Sequence, residues 1–171
     1  IDDDYSFFLI IAARKLLLAF RQEGLPVFHI QHIATDREAT SFLADTAGAQ
    51  FHASVFPNQG EGVFKKHFPS AFQRTTLFDV LRKEKIDSLV MAGMMAHRSI
   101  SATARAAASL GFSCMVAHDA CASCALTFNA IEVSALQVHA AAMAALDDPL
   151  IKMPSADELV TRIHDFKLKG S

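Results

Sequence analysis

The chain is poor in the features that announce several protein classes. It has three cysteines among 171 residues, an odd count without framework spacing, so a disulfide scaffold is not expected and a reducing cytoplasm is the expected home. No apolar run approaches bilayer-spanning length, and no signal-peptide pattern opens the sequence. Basic clusters and a polybasic tail are missing, and the net charge is −2. That combination argues against nucleic acid or a membrane surface as partner. Repeats and low-complexity segments are absent as well.

What is present suits one well-packed domain covering residues 1–171, with 51% hydrophobic and 20% charged residues. The pattern alternates between helix and strand. "FFLIIAARKLLLAFRQEG" has helical periodicity and stops at Gly24; "LPVFHIQH" is β-rich. Residues 33–62 read mostly as loop. "GVFKKHF" is a short strand, "TLFDVLRKEK" a helix, "IDSLVMAGMM" a strand, "SISATARAAASLG" a helix and "FSCMVAHDACA" a strand. "VSALQVHAAAMAALDD" follows as a helix, "PLIKM" as a short strand, and "SADELVTRI" as a closing helix with Ser155 and Glu158 spaced as a capping box. Strands separated by helices imply an α/β, Rossmann-like three-layer fold, a parallel sheet with helices on both faces.

Ligands of such sheets bind at the carboxyl ends of the strands. That singles out Lys65-Lys66-His67, the junction from Met94 to Ser99, and His118-Asp119-Ala120-Cys121. At a strand-to-helix junction the first N–H groups lack partners and the helix dipole presents its positive end, which stabilises a thiolate or an oxyanion. Ser99 or Ser101 can equally be a plain helix cap.

The order "KHFPSAF", then "AGMMAHRSISATARAAASLGF", "VAHDACA" and "VHAAAMAAL" resembles the isochorismatase-like hydrolases, also called the cysteine hydrolase superfamily, over nearly the whole chain. The resemblance implies a catalytic aspartate at the end of a first strand, a lysine, and a cysteine at the start of a later helix. Lys66 matches the lysine, directly before His67-Phe68-Pro69-Ser70-Ala71-Phe72, and the cysteine position falls on Ser99. Met94 and Met95 match a pair joined by a cis peptide, whose Met95 N–H would form an oxyanion hole with the N–H of Ser99. Asp2 is the candidate aspartate, with Ile1-Asp2 as the end of a truncated first strand. In the implied mechanism the aspartate takes a proton from the nucleophile or water and the lysine steadies the ionised forms. Phe68, Phe72 and His97 would line the pocket, with Phe68 and Phe72 alternatively plain core.

Other candidates carry less. Cys121 and Cys124 form "CASC", which has redox-motif spacing, but read better as two unpaired thiols; with Cys114 they make no four-ligand zinc set. His29 and His32 fall on opposite faces of a strand. His139 reads as a packed helix residue. The Asp-x-His metal element of the superfamily's nicotinamidases is lacking, so no metal and no cofactor are expected. The function these features imply is hydrolysis of a small amide-like C–N substrate, in a homo-oligomer. Two alternatives stay open: a catalytically silent member that binds a small molecule or serves an assembly, and an isochorismate-type vinyl ether hydrolase, whose Ala-His pair is echoed in "MMAHRS". The serine can be natural or a replacement introduced to trap substrate.

Overall fold

A computed structural model describes residues 3–36, 38–146 and 148–168. The first helix, α1 (Asp3–Gln22), buries Leu9, Leu16 and Ala19 and leaves Arg14 and Lys15 in solvent, the one-sided pattern of a helix lying on a sheet. It stops at Gly24, where φ is +65°; Gly24 N–H donates to Arg21 O and Leu25 N–H to Phe20 O, a Schellman ending.

The strands β1 (Phe28–His32) and β2 (Gly62–Lys66) pair in parallel, with His32 opposite Lys66. Between them, the described residues form a loop with two short 3-10 turns, Ala47–Ala49 and Ala53–Val55. Glu61 fastens this loop. Its carboxylate accepts from Arg21 Nε at 2.7 Å, Arg21 Nη2 at 2.8 Å and Asn58 N at 2.8 Å, and meets His29 Nε2 at 2.7 Å. Its pKa accordingly falls to about 2, chiefly through the hydrogen bond from Arg21.

After α2 (Leu77–Lys83) comes β3 (Ser88–Met94), then a five-residue π turn (Ala96–Ile100) that runs into α3 (Ser101–Ser109). The strand β4 (Ser113–Ala122) pairs in parallel with β3 and with β7 (Ile151–Lys152). Helices α4 (Ala135–Ala144) and α5 (Ala156–Leu168) complete the layers. The fold is therefore α/β, a parallel sheet flanked by helices. Among the described residues the parallel strands form two hydrogen-bonded ribbons, β1–β2 and β3–β4–β7, and a separate antiparallel pair follows β4.

Strand β4 is the central beam. Cys114 and Val116 face a cluster with Leu81, Phe112, Leu146 and Ile151, while Ala117 and Ala120 face Leu16 of α1 and Leu159 of α5. Burying a side chain of this size contributes about 1.5–3 kcal/mol. Met91 stands opposite Val116, but Gly93 stands opposite Cys121, so four residues of β4 bulge against one of β3. The bulge also corrects the parity of side-chain alternation, returning Cys121 to the side of Cys114 and Val116.

Two sequence expectations change here, and one element is added. The "HDAC" segment, expected at the ligand edge, supports α5 instead: Asp119 Oδ1 accepts from Ala156 N at 2.8 Å, beside the Ser155–Glu158 capping box. The helix after β3 begins its turn at Ala96 rather than at Ser99. A hairpin unread in the sequence, β5 (Leu126–Phe128) and β6 (Ile131–Val133), turns through Asn129 and Ala130, with φ of 49° and 62°. Two consecutive positive φ values are what a tight hairpin turn needs, and the absence of glycine there hid it.

Candidate active site

Lys66 ends β2 with its side chain on the face shared with His32, because register and strand alternation put those two side by side. It is only 4% exposed. Its Nζ donates to Phe68 O at 2.9 Å, to Pro69 O at 3.0 Å and to Ser99 Oγ at 2.9 Å, and lies 3.3 Å from His32 Nδ1. None of these partners is a carboxylate. Burial, reinforced by the positive charge of Arg98, lowers the Lys66 pKa to about 8. The neighbouring imidazole is biased the same way: burial first, then Lys66, Arg98 and His67, lower the His32 pKa and favour its neutral ring.

The turn after β3 brings Ser99 to this lysine. The Met94–Met95 peptide is cis, and the Met95 carbonyl accepts from Arg98 N at 3.1 Å and Ile100 N at 3.2 Å, the residues that flank Ser99. Neither Met95 nor Ile100, the residues preceding the π turn and α3, contributes a side-chain cap. The capping interpretation of Ser99 therefore fails: its hydroxyl lies inside the first turn and meets Lys66. Ala96 and Ile100 of the same turn are buried and anchor it in the core.

The other expected site residues divide. Phe68 contributes its carbonyl to Lys66, and its ring lies under the Arg74 guanidinium at 5.2 Å. Phe72 stacks on Phe112 with centroids 5.9 Å apart, so it belongs to the core. His97 points to another partner: its Nδ1 lies 3.1 Å from the Oγ of Ser123, a fully buried hydroxyl just past β4. Burial and Arg98 lower the His97 pKa. The sequence reading missed Ser123; its place just beyond the carboxyl end of "MVAHDACA" was the available signal. Asp2 lies outside the described residues.

Cys121 is buried and its pKa rises to about 12, chiefly through desolvation, which leaves it an inert thiol at neutral pH. Cys114, likewise buried, rises to about 11. His29 and His32 serve separate partners, Glu61 and Lys66. A cavity of about 260 Å³ lies between Gln31 and Lys65 of the strands, Ile33 and His67 just past their ends, and the loop residues Asp45 and Gln50. These strand positions alternate with His32 and Lys66, so this cavity belongs to the opposite face of the ribbon.

Comparison with known proteins fixes the lineage. The isochorismatase domain matches residues 9–148. The chain belongs to the isochorismatase family. The isochorismatase family protein YddQ of Bacillus subtilis (strain 168) is 44% identical over 135 residues, which cover 79% of this chain and 75% of YddQ. The crystal structure of an isochorismatase hydrolase from Oleispira antarctica superposes with a TM-score of 0.81 at 48% identity, covering 88% of this chain and 81% of that one. The N-carbamoylsarcosine amidase of Arthrobacter sp. is 28% identical over 120 residues, 61% of this chain and 46% of the amidase. The isochorismatase-family assignment makes this chain a member of a hydrolytic family, with amide chemistry among its relatives.

Proposed function

We propose that this chain hydrolyses a small amide-like C–N substrate, with Ser99 as nucleophile in the position where its superfamily resemblance places a cysteine, and Lys66 as its base. The observation that carries the reading is the 2.9 Å contact between Lys66 Nζ and Ser99 Oγ within the first turn of a helix. An alcohol is too weak an acid for a helix dipole to ionise, so serine needs a base. A lysine whose pKa is about 8 provides one. In its neutral form the amine donates its two N–H groups to the Phe68 and Pro69 carbonyls, and its lone pair faces the Ser99 hydroxyl.

The reaction follows from that arrangement. Ser99 Oγ attacks the substrate carbonyl carbon while its proton passes to Lys66. The resulting oxyanion would be held by the N–H groups of Met95 and Ser99, next to the positive end of the helix. Collapse breaks the C–N bond, and the Lys66 ammonium returns the proton to the departing amine. A water molecule, deprotonated by Lys66, then attacks the acyl-serine; collapse breaks the ester C–O bond, and Lys66 returns the proton to Ser99 Oγ as the acid leaves. The amidase among the relatives supports a C–N substrate over a vinyl ether.

The test is acylation. The wild-type protein and Ser99→Ala would be incubated with small p-nitrophenyl esters and anilides and followed by intact mass and peptide mapping. Acyl mass on the Ser99 peptide, lost in Ser99→Ala, is the expected result. Acylation that persists in the variant overturns the assignment, and no turnover by either protein identifies a silent member.

A further inference from the structure

We infer that the cavity between the β1–β2 ribbon and the loop over it is a second small-molecule site, separate from Ser99 and built for a zwitterion the size of an amino acid. Strand register makes its floor. Gln31 and Lys65 are paired across the ribbon, so both belong to one face, and Ile33 and His67 continue that face two residues on. The Ile33 N–H donates to Lys66 O at 2.9 Å, and His67 Nδ1 lies 2.8 Å from Ile33 O. These two bonds extend the ladder past the strand ends.

The wall is fastened before any ligand arrives. Gln31 Nε2 donates to Ala49 O at 2.8 Å, which clips the loop to the floor, and Ala49 itself is buried. Around it the loop is a run of closed turns. Thr46 Oγ1 donates to Leu43 O at 2.8 Å, Ala49 N to Thr46 O at 3.1 Å and Gln50 N to Ala47 O at 3.1 Å. Asp45 stands in this run with φ of 62°, in the left-handed region that aspartate tolerates better than most side chains. A wall already held in place lowers the ordering cost of binding.

The polar groups select the ligand. Lys65 and Asp45 line the same cavity, yet among the described residues they pair neither with each other nor with any other charged side chain. A cavity that holds a cation and an anion apart is complementary to a molecule carrying both charges. The Ile33 carbonyl can only accept, so His67 Nδ1 carries its hydrogen and Nε2 remains for a ligand. Gln31, its amide nitrogen engaged by Ala49, retains Oε1 as an acceptor. Asp45 and these acceptors suit an ammonium group, while Lys65 suits a carboxylate. The volume of about 260 Å³ matches roughly nine waters at about 30 Å³ each, the size of a small amino acid. A simple carboxylate would leave Asp45 opposed to it, and a metal cation would meet the Lys65 ammonium, so neither fits the whole site.

The experiment is ¹H–¹⁵N NMR of the labelled full chain, titrated with L-alanine and L-glutamine and with propionate and propylammonium as single-charge probes. The expected result is saturable shifts at the amides of residues 31–33, 45–50 and 65–67 with the amino acids alone, at a Kd on the order of 1 mM. Lys65→Met and Asp45→Asn should each weaken binding about tenfold, while Ser99→Ala binds as the parent does. No saturable shift with either amino acid overturns the inference, as do folded charge variants that bind like the parent. Equal binding of propionate or propylammonium makes this a single-charge site and overturns it too. Shifts that centre on residues 95–100, or that vanish in Ser99→Ala, place the ligand at the candidate active site and equally overturn it. If one charge variant fails to fold, the other decides. The readout is binding, so it stands or falls independently of whether Ser99 is acylated.

Discussion

The lysine's depressed pKa makes a quantitative prediction about rate. If neutral Lys66 is the base, kcat/KM follows its neutral fraction. With a pKa of about 8, that fraction is about a tenth at pH 7 and about nine tenths at pH 9. Hydrolysis should rise about tenfold between those values, with a log–log slope near one below pH 7. His32, the nearest other titrating group, has its pKa lowered and would give a separate limb on the acid side. Stopped assays in a constant-ionic-strength buffer series read the profile, and Lys66→Met should lose the limb as well as the rate. The same shift is a stability statement. The unfolded lysine keeps its proton to the ordinary 10.5, whereas the folded one releases it near 8. The folded state therefore carries a penalty that is fully present below pH 8 and relieved as pH climbs from 8 towards 10.5. Its size is on the order of 3 kcal/mol. Urea unfolding of the parent and of Lys66→Met should diverge by about that amount between pH 7.5 and 10.5. A rate profile flat across pH 7–9, or stability curves that stay parallel, refutes the assignment of Lys66 as base.

Other outcomes follow from neighbouring features. Ser99→Cys should produce a thiol alkylated by iodoacetamide at lower pH than a free thiol, and only while Lys66 is present, because the helix start and the ammonium both favour thiolate; the reading is taken against the parent's native cysteines. Phe112→Ala should cost about 3–5 kcal/mol in urea unfolding, since this fully buried ring packs against both Phe72 and Phe78. Glu61 contributes stability above its ordinary pKa of 4.5 that is lost as pH falls towards 2. Glu61→Gln should flatten that acid limb, measured by thermal melting from pH 5 to 2.5.

Motifs that join sequence neighbours to one strand end were legible. "KKHFPSAF" places Lys66 at the end of β2 and the carbonyls that accept its hydrogen bonds immediately after it, so the position of the lysine at that strand end could be read directly. The junction "GMMAHRS" was legible as a strand passing into a helix, although the π turn was not, because one additional residue per turn leaves no mark on composition. The bulge in β4 escaped because "CMV" before it and "ACA" after it keep the apolar look of one continuous strand while Asp119 turns to α5. His97 was assigned to the pocket by position, yet it and Ser99 stand two residues apart on a helical turn and point to different neighbours, Ser123 and Lys66. The hairpin stayed hidden because its turn uses Asn-Ala where Asn-Gly would have announced it.

The turn from Ala96 to Ile100 makes the serine's direction a matter of chain length. Ile100 reaches back five residues to Met95, one more than an α-helix allows. Loss of His97 would let the turn relax to ordinary α pitch, with the Ile100 N–H still bonded to Met95 O, now four residues back. The turn absorbs the missing residue, so α3 keeps its placement and Ser99 its neighbour Lys66. An added residue has no such outlet, and everything after it would rotate by about 100° relative to β3. Insertions in this stretch are thus less forgiving than the loss of one residue.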